Sequence, residues 1–174
     1  MATAFLLQMA GLPGSGKSAL GRLIATRTGA VVLDKDVLKT AALDAGAGDS
    51  LAGQIAYESF FALAAHLLGQ DVSVVLDSPS FYDTIPAKGA AIAAERMVPY
   101  HFIECCCPDR DELGRRLRER TRLRSNPGEE ALDAPAETIA PPGAYLRIDT
   151  TQPIERCLEL ALDYLGQPRG VDAP

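Results

Sequence analysis

A strand-length apolar run, Ala4-Phe5-Leu6-Leu7-Gln8-Met9, leads into Gly11-Leu12-Pro13-Gly14-Ser15-Gly16-Lys17-Ser18, which spells G-x-x-x-x-G-K-[ST]. No other stretch restricts the fold as strongly. Glycines let the backbone take left-handed turns, so successive N–H groups can point inward and cradle phosphate oxygens. Leu20, Leu23, Ile24 and Arg27 then recur at helical spacing, and Gly29 stands where a helix C-cap belongs. A helix starting at Lys17 presents the positive end of its dipole to the same anion. The motif assigns Lys17 to the β- and γ-phosphates and the Ser18 hydroxyl to Mg2+, with Gly11, Gly14, Ser15, Gly16 and Ala19 completing the cradle.

Beyond this unit, strand and helix patterns keep alternating. Strands are expected at 4–9, 30–33, 72–77, 98–106 and 145–149, and helices at 17–28, 36–45, 51–69, 82–96, 109–121 and 154–165. That order predicts an α/β fold of three layers, a five-stranded parallel sheet with helices on both faces. The 174 residues suit one domain over 1–166, with a small arginine-rich lid at about 110–143 and a tail at 167–174. Pro127, Gly128, Pro135, Pro141, Pro142 and Gly143 make 125–143 a loop.

A net charge of −6 argues against a general nucleic-acid binder or a membrane-surface protein. No apolar run is expected to reach membrane-spanning length, and no charged region leads into a signal-like core, so the expected compartment is the cytoplasm. Cys105, Cys106 and Cys107 are consecutive and Cys157 stands alone; without a C-x-x-C pair they read as small buried hydrophobes rather than a zinc site.

Several strands end in carboxylates. Val74-Val75-Leu76-Asp77 is an apolar strand closed by an acid, a form suited to holding Mg2+ together with Ser18. Val31-Val32-Leu33-Asp34-Lys35-Asp36 ends likewise. Ligands of open α/β sheets bind beyond the carboxyl ends of the strands, so Asp34, Asp36 and Asp77 should converge near Lys17. Phosphoryl transfer to an alcohol calls for a group that takes the hydroxyl proton, and Asp36 is the choice for that base; its alternative is an N-cap for a helix beginning at Val37. Seven arginines lie between Arg110 and Arg124, and Arg116 and Arg120, one turn apart, are expected to share a helix face and close over the transferring phosphate.

This layout resembles, over nearly the whole chain, the small P-loop kinases that include gluconate kinase, chloramphenicol phosphotransferase, zeta toxins and the kinase domain of polynucleotide kinase. In that group S/G-x-D-x-x-R/H follows the second strand; here it reads Asp34-Lys35-Asp36-Val37-Leu38-Lys39, matching at Asp36 and departing at Asp34 and Lys39. The lid pattern R-L-x-x-R is matched by Arg116-Leu117-Arg118-Glu119-Arg120, and D-T/A-T-x-P by Asp149-Thr150-Thr151-Gln152-Pro153. The resemblance implies ATP as phosphate donor, Asp36 as base, and Thr150 and Pro153 beside the adenine.

Charge distribution restricts the acceptor further. From Thr28 to Glu95 there is no arginine, and Lys35, Lys39 and Lys88 are the only cations. Holding an acceptor phosphate usually takes arginine, so an uncharged or cationic alcohol is expected: a sugar, nucleoside, aminoglycoside-like molecule or other natural product. Asp34, Lys39, Tyr57, Asp77, Tyr82 and Asp83 are the candidate substrate contacts. Alternatives are an ATP-hydrolysing regulatory protein, a toxin-type kinase, or a polynucleotide 5'-hydroxyl kinase. The expected partner is a small hydroxyl acceptor rather than membrane or nucleic acid, with the chain a monomer or a homodimer.

Overall fold

Strand-forming segments rich in valine, leucine and isoleucine line up as five parallel strands: β1 (Leu6–Ala10), β2 (Val31–Asp34), β3 (Val74–Asp77), β4 (Tyr100–Cys106) and β5 (Leu146–Asp149), in the spatial order β2-β3-β1-β4-β5. Six helices connect and cover them: α1 (Lys17–Thr28), α2 (Lys35–Asp44), α3 (Asp49–Leu68), α4 (Thr84–Glu95), α5 (Arg110–Glu119) and α6 (Ile154–Tyr164). The computed structural model describes residues 4–126, 138–141 and 143–166. The expected tail, 167–174, and most of the expected lid loop fall outside them.

Alternation along the strands makes the two apolar layers. Leu7 and Met9 of β1 join Val75, Ile103, Cys105 and Ile148 against Leu20 and Ile24 of α1 and Cys157 and Ala161 of α6. Leu6 points the other way, with Val74 and Leu76, against Phe60, Phe61, Ala64 and Leu68 of α3 and Ile85 and Ala93 of α4. Burial pushes the Cys105 thiol up to about 12, so it acts as a small apolar group.

The expectation that no apolar stretch reaches membrane-spanning length fails at α3. Its 20 residues hold an 18-residue stretch of mean hydropathy 1.2, long and apolar enough to cross a membrane by length and composition. Packing explains the composition: Ala52, Ala56, Phe60, Ala64 and Leu68, each four residues apart, form one buried stripe in the α/β core. Among the element boundaries that shift, three bear on the site. Asp34, not Asp36, caps α2; its Oδ1 accepts from the backbone N–H groups of Asp36 (2.8 Å) and Val37 (3.4 Å). Helix α4 starts at Thr84 rather than 82. Helix α5 ends at Glu119, leaving Arg120 in extended backbone.

Candidate functional site

The loop between β1 and α1 folds back on itself, with Ser15 N–H donating to the Leu12 carbonyl (3.0 Å). Two of its glycines are required by geometry. Gly16 caps α1 in the left-handed region, at φ 85°. Gly11, at φ 140°, leaves so little room that a Cβ there would stand 2.3 Å from the Cys105 carbonyl oxygen and 2.5 Å from Ser15 Oγ. Lys17 and Ser18 open α1, and Ala19 is exposed in its first turn.

Asp34 and Asp77 are register partners at the carboxyl ends of β2 and β3. Asp77 is 4% exposed. Burial raises its carboxyl above the usual carboxylate range, opposed by Lys17 and a hydrogen bond from Ser18, and reinforced by Asp34 and Asp36. Its Oδ1 is buried with no hydrogen-bond partner. An orphaned carboxylate oxygen beside a hydroxyl and a phosphate cradle fits a divalent cation with hard oxygen ligands. Asp77 and Ser18 are therefore the residues that could hold Mg2+. No cluster of three His, Cys, Asp or Glu side chains suited to a metal occurs among the described residues.

Beside the loop lies a cleft of about 530 Å³ whose lining includes Pro13, Lys17, Lys35, Asp36, Lys39 and Arg120. Tyr57 and Phe61 of α3 and Phe81 and Tyr82 after β3 supply an aromatic wall. Burial, then the Asp36 and Tyr82 charges, raise the Tyr57 phenol, which stays protonated and can donate. All three lysines of the arginine-free span line the cleft, and each has a carboxylate partner. Lys35 contacts Asp36 Oδ1, Lys39 pairs with Asp49 (2.8 Å), and Lys88 pairs with Glu58 (2.9 Å). Asp49, Glu58 and Lys88 had no signal in a motif; the scarcity of cations in that span was the one available hint.

Other candidate residues separate. Asp34 spends its carboxylate on the α2 cap, and neither it nor Asp83 is among the residues lining the cleft. Arg116 and Arg120 stay one helical turn apart, the Arg120 N–H donating to the Arg116 carbonyl (3.2 Å), yet their side chains reach different groups. Arg116 donates to Glu112 (Nε, 2.7 Å), Thr150 Oγ1 (Nη1, 3.1 Å) and the Thr150 carbonyl (Nη2, 2.8 Å), whereas Arg120 turns to the cleft. Thr150 is itself 5% exposed, and its hydroxyl donates to the Ser15 carbonyl at 2.8 Å. The side chain braces the phosphate loop from behind. Pro153 is exposed and caps α6.

Solved structures share this architecture. One of a Chloroflexus aurantiacus protein put forward as a kinase aligns with a TM-score of 0.75 and 21% identity, covering 95% of this chain and 98% of that one. A Mycobacterium tuberculosis APS kinase, in complex with AMPPNP and APS, aligns with a TM-score of 0.65 and 21% identity over 96% and 100% of the two chains. A gluconokinase from Sinorhizobium meliloti gives 0.64 and 20% over 95% and 94%. A comparison with curated protein sequences returns no match. The AAA domain family matches residues 6–142. With its phosphate loop between β1 and α1 and its parallel sheet, the chain belongs to that AAA domain family of P-loop NTPases and has the fold of the small P-loop kinases.

Proposed function

We propose that the chain is an ATP-dependent phosphotransferase that moves the γ-phosphoryl group to a hydroxyl of a small, unphosphorylated molecule. The observation that carries this reading is the shared cleft: Lys17 and Arg120 for the phosphates, Asp36 for the hydroxyl, and an aromatic wall behind them. In the reaction, the acceptor oxygen bonds to the γ-phosphorus, the bond to the β–γ bridging oxygen breaks, and the hydroxyl proton passes to Asp36. Lys17 and Arg120 balance charge on the transferring group. Mg2+, held by Ser18 and Asp77, would neutralise phosphate charge. The fold and the kinase neighbours support this reading, and none of them names the acceptor.

The paired lysines favour an uncharged acceptor. The ammonium groups of Lys35, Lys39 and Lys88 each already face a carboxylate, so the wall offers alternating donors and acceptors rather than a field for a second phosphate. A polyhydroxylated molecule such as a sugar or nucleoside suits such a wall, with Tyr57 and Phe61 against its ring. An ADP-release screen over sugars, nucleosides, aminoglycosides and their phosphorylated forms tests this. Acceptor-dependent ADP release is expected with unphosphorylated members, abolished by Lys17→Ala; Asp36→Asn should remove transfer while leaving ADP affinity within about twofold. Steady hydrolysis unaffected by every acceptor would favour a regulatory ATPase instead.

A further inference from the structure

The carboxylate of Asp36 is gripped from both sides. Lys35 contacts Oδ1, and Asn126, 90 residues away in the chain, donates its Nδ2 to Oδ2 at 2.9 Å. The amide cannot present its other end. Its Oδ1 already accepts the Leu123 backbone N–H (3.0 Å), and the Asn126 N–H donates to the Leu123 carbonyl (3.0 Å), a turn that fixes the side chain with its nitrogen outward.

The turn is itself anchored to α2. Ser125 Oγ donates to the Asp36 carbonyl (2.8 Å), Ser125 N–H donates to Thr40 Oγ1 (3.2 Å), and Arg124 donates to the Leu43 carbonyl and to Asp44 (both 3.1 Å). Asn126 is the only asparagine in the chain. It follows Arg120, which lines the same cleft, by six residues.

We propose that Asn126 is a positioning residue: its amide nitrogen holds the Asp36 carboxylate turned into the cleft, so the segment that brings Arg120 to the phosphates also orients the base. This rests on Asp36 being the base. Two donors on opposite oxygens restrict rotation of the carboxylate and fix which way it faces. Neither Asn126 nor Lys35 need touch the acceptor for this effect.

The bond is readable without an acceptor. With 15N-asparagine labelling, Asn126 gives the single labelled side-chain amide. Its proton facing Asp36 should lie downfield of the free-amide position in the full-length protein with Mg·ADP, and return to that position in Asp36→Ala. The same position in both proteins overturns the proposal. Transfer from γ-32P-ATP to a pool of sugars, sugar acids, nucleosides and aminoglycosides should fall about tenfold in Asn126→Ala, the value of one charge-assisted hydrogen bond, with ADP affinity within twofold. Asn126→Asp, isosteric but unable to donate, should lose at least as much. Transfer within twofold of wild type in both variants overturns the positioning role. Asp36→Asn keeps the two readings apart: full transfer there removes the base assignment itself, whereas its loss beside unimpaired Asn126 variants removes only the role of Asn126.

Discussion

Thr150→Val should loosen the phosphate loop without touching a phosphate contact. The Thr150 hydroxyl has one proton and two carbonyls within reach, Ser15 at 2.8 Å and Cys106 at 3.1 Å. The Cys106 carbonyl already accepts the Thr150 N–H (2.8 Å), so Ser15 is the group that depends on the hydroxyl. Ser15 is 1% exposed, and a buried carbonyl left without a donor costs about 1–3 kcal/mol. Arg116 also loses its bond to Oγ1 but keeps Glu112 and the Thr150 carbonyl, which adds a few tenths. The isosteric methyl fills the same volume as the hydroxyl, so little packing is lost. The sum is about 2 kcal/mol, or roughly 4–8 °C in Tm for a chain of this length. If about 1 kcal/mol must then be recovered when the loop closes on nucleotide, ADP affinity falls about fivefold. Thermal unfolding and ADP titration measure both, and Thr150→Ser should restore them. A change below 0.5 kcal/mol, or Ser behaving like Val, would refute the brace.

Gly89→Ala should destabilise although alanine favours helix by about 1 kcal/mol. A Cβ there would stand 2.3 Å from Gln8 Oε1 and 3.1 Å from a Tyr100 ring carbon, breaking the 2.9 Å Tyr100–Gln8 bond inside the sheet layer. Overpacking and the stranded amide together outweigh the propensity gain, for a net loss of about 2 kcal/mol in urea unfolding; a stabilised variant would contradict the packing. Hydrogen bonds from Arg115 and then Arg116 hold the Glu112 carboxyl down to about 2, from an ordinary 4.5. A depressed carboxyl stabilises above its unfolded value and loses that contribution as pH falls from about 4.5 toward 2. Wild type should therefore lose more stability between pH 5 and pH 3 than Glu112→Gln does in parallel urea titrations, and equal slopes would count against the pairing.

What the sequence discloses and what it conceals divide along a physical line. The strand segments, the helix-sheet alternation and the phosphate loop depend on short-range periodicity and on glycine, and these are local. Asp77 was legible as well, because an apolar strand that ends in an acid is a pattern contained in four residues. Contacts between distant segments left no such trace. Nothing in Thr150 distinguishes a nucleotide contact from a brace until Ser15, Cys106 and Arg116 surround it. The Arg116–Arg120 pair meets the same limit: i,i+4 spacing sets both one turn apart, but it cannot show that Thr150, 34 residues away, takes up the Arg116 guanidinium. The arginine-free span shows the reverse case. Its three lysines were visible, but the pairing of Lys39 with Asp49 and of Lys88 with Glu58 required α2 and α4 each to meet α3. A cation count therefore overstated the positive charge open to an acceptor, since the pairing leaves little of it for a second phosphate. The acceptor's charge is set by which ammonium groups remain uncompensated, a property of side-chain partners rather than of composition. The ADP-release screen, with phosphorylated and unphosphorylated forms of each compound side by side, measures that property directly.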